Sequence, residues 1–358
     1  MKKVVAVPAN DTFTALGLML EVLDGSVAGF ITPSEVNGVA PDVEVPLQAG
    51  DDVGLIVESS GSTGVPKRIE LSPEALRYSG QAALNRLGGP GQWLLALPVN
   101  FIAGANVLIR SVLSDTQPVM LNTRMPFTAE AFVRGAALME GERRYTSLVP
   151  AQLAKLAQAA EEDAFSFSML RKFDAILVGG QAPNWADVFS LRSKGVNVIV
   201  SYGMTETGGG CVFDGEALDG VEYRISGGLV EIAGPTLANG LGPWFATNDL
   251  GEIVDGKLEI LGRSDRVIIS GGLKVALDRV EQVAMEIPGV ESVVAIAIDS
   301  DWGQSVGIVY TGSSEISFSV LEVLGPAAKV AKSVLVREIP KLPSGKPDLL
   351  ACQLLLAD

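Results

Sequence analysis

The chain reads as an α/β protein with a mostly parallel sheet in a large N-terminal domain, a small β subdomain and a small α+β C-terminal domain. Three observations predict this. Short apolar runs alternate with helical stretches up to residue 200. The glycine- and hydroxyl-rich turns follow strand-like runs, where open parallel sheets place their ligand loops. After residue 220 the texture changes to short strands punctuated by Gly, Asp and Pro. A charged linker, Gly262-Arg263-Ser264-Asp265-Arg266, predicts a division into 1–264 and 265–358.

In chain order, a helix-like stretch at 15–23 precedes Val53-Gly54-Leu55-Ile56-Val57, which reads as a buried strand. Ser72 is a good N-cap, Pro73 suits the first helical position, and that helix stops at Gly88-Gly89-Pro90. Trp93-Leu94-Leu95-Ala96-Leu97-Pro98 reads as the next strand. Residues 102–110 are apolar at helical length and end in Arg110. A guanidinium there either snorkels to water from a helix end or faces a bound carboxylate. Two amphipathic helices span 128–161 around Arg144-Tyr145-Thr146-Ser147. A strand then runs into Gly179-Gly180-Gln181, and another at 196–200 delivers Ser201-Tyr202-Gly203-Met204-Thr205-Glu206-Thr207. The β subdomain holds strands at 223–225, 229–232, 251–254 and 257–260. Beyond the linker come strands at 267–269, 293–298 and 305–310, a helix at 278–287, a short helix from 320 and a last strand near 333–336.

Composition excludes much. A formal charge of −15 argues against a nucleic-acid partner, which needs a basic face. Histidine is absent, so there is no Ser-His-Asp triad, Cys-His pair or histidine-ligated zinc. Two cysteines, Cys211 and Cys352, make no disulfide framework and suit a reducing compartment. The apolar start breaks at Pro8, too early for a signal-peptide core. No run approaches the roughly 18 apolar residues of a membrane span. The expectation is a cytoplasmic protein acting on small molecules, with the oligomeric state open, a homodimer included.

The stretch Glu58-Ser59-Ser60-Gly61-Ser62-Thr63-Gly64-Val65-Pro66-Lys67 carries the chemistry. Glycines let the backbone curl so that its N–H groups converge on one anion, hydroxyls add donors, and Lys67 adds charge. A solvated turn is the commoner fate of such a cluster. It is not a Walker A loop, which has four residues between its glycines and Lys-Ser/Thr directly after the second. The loops 59–67, 179–181 and 202–207 all follow strands, as ligand loops should.

The string resembles the Ser-Gly-Ser/Thr-Thr-Gly-x-Pro-Lys motif of the adenylate-forming superfamily: acyl-CoA synthetases, adenylation domains and luciferases. Five further strings fit in order. Tyr202-Gly203-Met204-Thr205-Glu206 is similar to the motif that stacks adenine and holds magnesium. Thr247-Asn248-Asp249 is similar to the ribose-binding motif, and Gly262-Arg263-Ser264-Asp265 to the hinge motif. Ser270-Gly271-Gly272-Leu273-Lys274 resembles the strand that approaches the pantetheine arm. Leu342-Pro343-Ser344-Gly345-Lys346 resembles the loop of the catalytic lysine.

The resemblance implies ATP and AMP contacts from Ser59, Ser60, Gly61, Ser62, Thr63, Gly64, Lys67, Gly179, Gly180, Gln181, Tyr202, Gly203, Met204, Thr205, Asp249 and Arg263. It implies catalytic roles for Lys346, Thr63 and Glu206, with Mg2+ on Thr63 and Glu206, and a pivot at Asp265. CoA would meet Gly271, Gly272 and Lys274.

Within the superfamily, the strings around Arg110, Arg144 to Ala154 and Gly209 to Gly215 resemble the o-succinylbenzoate–CoA ligases of menaquinone biosynthesis in their short actinobacterial form. That implies an acid pocket of Phe101, Arg110, Ser201 and Gly203, with Arg110 on a carboxylate. The chain departs from the family pattern twice. Phe101 stands where a histidine is usual, and Arg266 replaces the usual acid after Asp265. Two alternatives stand beside this reading. One is an adenylating enzyme for another aryl or acyl acid, loading CoA or a carrier protein. The other is a non-catalytic adenylate-binding regulator.

Overall fold

The computed structural model describes residues 1–34, 43–59, 67–300, 303–342 and 347–357. Its first sheet runs in space Gln48–Ala49, Lys2–Pro8, Ala28–Thr32, Leu55–Ser59, Lys67–Leu71. The three central strands are parallel. Of the apolar run expected as a strand at 53–57, Leu55, Ile56 and Val57 lie buried in Leu55–Ser59, while Val53 and Gly54 precede it, buried outside the strand. Lys67–Leu71 returns antiparallel and sets Lys67 opposite Ser59. Its charged sequence gave no strand signal, because an edge strand with one wet face tolerates charge.

The second sheet has the order Glu216–Ala217, Gly209–Phe213, Val198–Met204, Ala175–Gly179, Arg144–Leu148, Gln92–Leu95, Val119–Met120. From Val198–Met204 to Val119–Met120 every neighbouring pair is parallel. Parallel strands need crossover connections, and these are the helices that bury the sheet. Helices Ala129–Ala137, Pro150–Glu162, Ala164–Leu170 and Trp185–Ser193 supply Phe132, Leu156, Met169 and Val188 to one core with Ile176 and Val198 of the sheet. Arg144–Leu148 is a central strand, although its hydroxyl-rich sequence read as a join between helices. The hydroxyls are satisfied locally: Thr146 Oγ1 donates to the Leu94 carbonyl at 2.9 Å, and Tyr145 to that of Leu87 at 3.0 Å.

A four-stranded sheet, Glu222–Ser226, Leu229–Ala233, Phe245–Val254 and Lys257–Arg263, answers to the predicted β subdomain. The last sheet runs Leu273–Ala276, Val267–Ser270, Gly303–Gly312, Val290–Ser300, with Val330–Leu335 joined parallel to Gly303–Gly312. Helix Leu277–Met285 packs Val280 and Ala284 onto this sheet's Ala295 and Ile308. The chain forms two compact units, 1–223 with 232–245, and 224–231 with 246–358. Among the described residues no helix is long and apolar enough to cross a membrane.

Candidate active site

In the first unit, the Ser201–Thr207 string begins inside its strand. Ser201 to Met204 belong to Val198–Met204, and only Thr205–Thr207 turn away, as a 3-10 turn. The parallel register sets Ser201 beside Gly179, the last residue of its own strand. Gly180 follows exposed, with φ of +83°, and Gln181 is half-buried. On the other side Gly203 and Met204 pair with Gly210 and Gly209, after a bulge at Tyr202. A Cβ at Gly203 would collide with the Gly209 carbonyl, so the strand crosses there only because the residue is glycine.

The turn is tied down from below. Buried Thr207 accepts the Met204 amide at 3.0 Å and donates to the Gly209 carbonyl at 2.8 Å. The Gly208 carbonyl takes two side-chain donors, Ser79 Oγ at 3.2 Å and Asn106 Nδ2 at 2.9 Å. These come from helices Pro73–Arg86 and Ile102–Leu113. The Glu206 carbonyl accepts the Ala238 amide at 2.8 Å. Tyr202, Gly203, Met204, Thr205 and Glu206 are thereby held half-buried on one edge with Gly179 and Ser201.

Phe101 is the N-cap of helix Ile102–Leu113 and makes no side-chain cap bond, as expected of a ring. Arg110, two turns on, does not snorkel. It is 3% exposed, with its guanidinium 5.2 Å over the Trp93 ring. Among the described residues its Nε has no hydrogen-bond partner. Burial pulls its pKa down to about 10. This buried cation rests on an aromatic face rather than against a carboxylate among the described residues. Cys211 lies beneath the turn, and burial pushes its thiol up to about 11, which removes it as a nucleophile.

Ser59 ends strand Leu55–Ser59, and exposed Lys67 opens the strand opposite. The intervening Ser60, Gly61, Ser62, Thr63 and Gly64 lie outside the described residues, as does Lys346. Among the described residues no group of three or more carboxylate, Cys or His side chains is placed to hold a metal.

In the second unit, Asp249 is 9% exposed and sits opposite Arg263 in the antiparallel register, 3.9 Å from its Nη1. Arg263 grips Asp265 with two hydrogen bonds, 2.8 and 2.6 Å. This fork holds the Asp265 carboxyl below its usual range and raises Arg263. Arg266 is built into a charge cluster. Its Nε lies 2.6 Å from Asp278 Oδ1, and its Nη2 pairs with Glu281 and donates to the Ala295 carbonyl at 3.0 Å. Asp278 also accepts the Arg263 amide at 2.6 Å, and Glu281 the Ala295 amide at 2.8 Å. Burial pushes Glu281 up to about 7 against the pull of Arg266. Gly271 and Gly272 form the two-residue turn between Val267–Ser270 and Leu273–Ala276, at φ of +56° and +81°. Positive φ at both positions is what a type I′ hairpin requires. Both are exposed, and so is Lys274.

Reasoning from sequence missed Ser79, Asn106, Asp278 and Glu281. Asn106 had a signal, a single amide inside the apolar run 102–109. The others looked like ordinary polar helix residues.

Residues 6–238 match the family described as AMP-binding enzyme. The chain is 37% identical over 353 residues to the Mycobacterium tuberculosis protein named "Probable 2-succinylbenzoate--CoA ligase", covering 94% of this chain and 91% of that one. It is similar in fold to o-succinylbenzoate CoA synthetase (MenE) of Bacillus subtilis in complex with the acyl-adenylate intermediate OSB-AMP, at TM-score 0.73, 22% identity and coverage of 95% and 81%. The same enzyme in complex with ATP and magnesium ion gives TM-score 0.74, 22% identity and coverage of 96% and 82%.

Proposed function

The chain belongs to the AMP-binding enzyme family, and on that premise we propose that it is an ATP-dependent, AMP-forming acid–CoA ligase. Its acid is o-succinylbenzoate, its product o-succinylbenzoyl-CoA, and its place the menaquinone route. The observation that carries the acid is Arg110, a buried guanidinium on the helix that also reaches under the Tyr202–Thr207 segment. A dianionic aryl acid needs such a charge in addition to apolar contact.

A carboxylate is a poor acyl donor because oxide leaves badly. Its oxygen attacks the α-phosphorus of ATP, the bond to the β-phosphate oxygen breaks, and pyrophosphate leaves with that electron pair. The mixed anhydride is then attacked at its carbonyl carbon by the CoA thiolate, and AMP leaves. The first step asks the protein to align two anions and neutralise their charge. The phosphates are assigned to 59–67, the adenine to Tyr202, the ribose to Asp249 and Arg263, and the acid to Phe101, Arg110, Ser201 and Gly203. Lys346 bridges charge during adenylation. Gly271, Gly272 and Lys274 serve the thiol step, with the functional boundary and pivot at Asp265. Magnesium takes one or two carboxylates plus substrate phosphates rather than a protein cage, and Glu206 with Thr63 would hold it. It would supply Lewis-acid neutralisation of the phosphates.

A second reading, another aryl acid, draws on Phe101, whose ring lacks the polar atoms of a histidine. Mass spectrometry of products from ATP, magnesium, CoA and a panel of acids separates the two. A thioester of o-succinylbenzoate alone is expected. A thioester of a different acid retires the substrate but keeps the mechanism.

A further inference from the structure

A side-chain hydrogen bond from Asn106 joins the acid-side helix to the nucleotide turn. Asn106 lies one helical turn before Arg110, so both project from the same face of Ile102–Leu113. It is 1% exposed, and its Nδ2 donates to the Gly208 carbonyl, directly after the Thr205–Thr207 turn. Contact there is close, since a Cβ at Gly209 would collide with Nδ2. Gly208 and Gly209 both hold positive φ, +67° and +99°, a conformation that glycine alone adopts freely. Asn106 Oδ1 is buried without a partner among the described residues. A buried amide left half-satisfied costs stability, so its presence in an apolar helix calls for a positional reason.

We propose that Asn106 is a positioning residue: it fixes the Tyr202–Thr207 segment for the nucleotide and ties that segment to the helix carrying Arg110. The inference rests on the ligase reading and deepens it. With the tether in place, an acid drawn to Arg110 stiffens the helix from which the nucleotide turn hangs. Acid and nucleotide then raise each other's affinity, as reciprocity of binding requires. Ser79 shares the Gly208 carbonyl but sits on a different helix. It contributes to holding the turn and not to the coupling.

The test is calorimetric titration of AMP into the full chain, with and without o-succinylbenzoate, a pair that cannot react because the phosphorus of AMP carries no pyrophosphate leaving group. Asn106→Ala is expected to weaken AMP about fivefold or more, the scale of a lost buried hydrogen bond. o-Succinylbenzoate alone should bind within about twofold of wild type, and the mutual enhancement should collapse towards unity. Ser79→Ala should weaken AMP about twofold and keep the enhancement. Asn106→Ser, too short to reach Gly208, should lose the enhancement like Asn106→Ala and provides the second folded variant. A purely structural role would lower the unfolding temperature and leave the affinities of folded protein unmoved. Wild-type AMP affinity and intact enhancement in either folded Asn106 variant overturn the proposal. Wild-type protein that binds neither AMP nor acid overturns the ligase reading itself, and the inference with it.

Discussion

The floor beneath the Tyr202–Thr207 turn and the cluster around Arg266 solve the same problem with opposite chemistry. The first is neutral: hydroxyls, one amide, backbone carbonyls and glycines that let two strands touch. The second is ionic: Arg263 on Asp265, and Arg266 between Asp278 and Glu281. Neutral hydrogen bonds keep their geometry across pH and salt, which suits a segment proposed to hold the nucleotide. Ion pairs respond to pH and ionic strength. That suits a segment proposed to serve two half-reactions in turn. The contrast teaches that the floor beneath the Tyr202–Thr207 turn is held by satisfied neutral hydrogen bonds, and the segment around Arg266 by charge.

Four changes break or sharpen the contrast. Lys346→Ala has the largest effect, lowering adenylate formation by about 10²–10³, the scale of one lost charge-stabilising group. Thioester formation from supplied acyl-adenylate should stay within a few-fold, as rapid quench of each half-reaction would show. Next, Arg266→Ala leaves two carboxylates facing each other and destabilises the second unit by about 3 kcal/mol, read by denaturant unfolding. A change below about 0.5 kcal/mol would mean that the pairs are ordinary surface contacts. Third, Arg110→Ala raises KM for the acid about 30-fold and KM for ATP less than about twofold. If ATP handling alone suffers, Arg110 is structural.

The smallest effect is a pH slope. Glu281 ionises near 7 in the folded unit and near 4.5 when unfolded. Between those values the folded state binds more protons, so stability falls as pH rises through the window. Glu281→Gln should flatten that slope, as thermal unfolding between pH 5 and pH 7 would reveal. The floor under Thr207 contributes no such slope.

Much of this was legible beforehand for a physical reason. Glycines and hydroxyls cluster in sequence where the backbone must turn sharply, so Tyr202 to Thr207 and Gly271-Gly272 stood out. Apolar strands such as Leu55–Ser59 and Ala175–Gly179 announced themselves by run length. Arg144–Leu148 did not, because its polar atoms find partners only after the neighbouring strands are in place. Lys67–Leu71 hid for the converse reason, an edge strand wet on one face. Arg266 looked like a lost acid in a hinge, and only the fold brings Asp278 and Glu281 to it. Side chains that work on the far side of a turn, Ser79 and Asn106, lie more than 100 residues before the carbonyl they hold, with sequence separations of 129 and 102. No local pattern records such a partner.

The most direct test of the account omits CoA. With ATP, magnesium and o-succinylbenzoate, the protein should release about one equivalent of pyrophosphate and retain one of o-succinylbenzoyl-adenylate, since the anhydride forms before any thiol is needed. Adding CoA should then convert it to thioester and AMP in a single turnover. Pyrophosphate that appears only once CoA is present would contradict the division into two half-reactions on which the account stands.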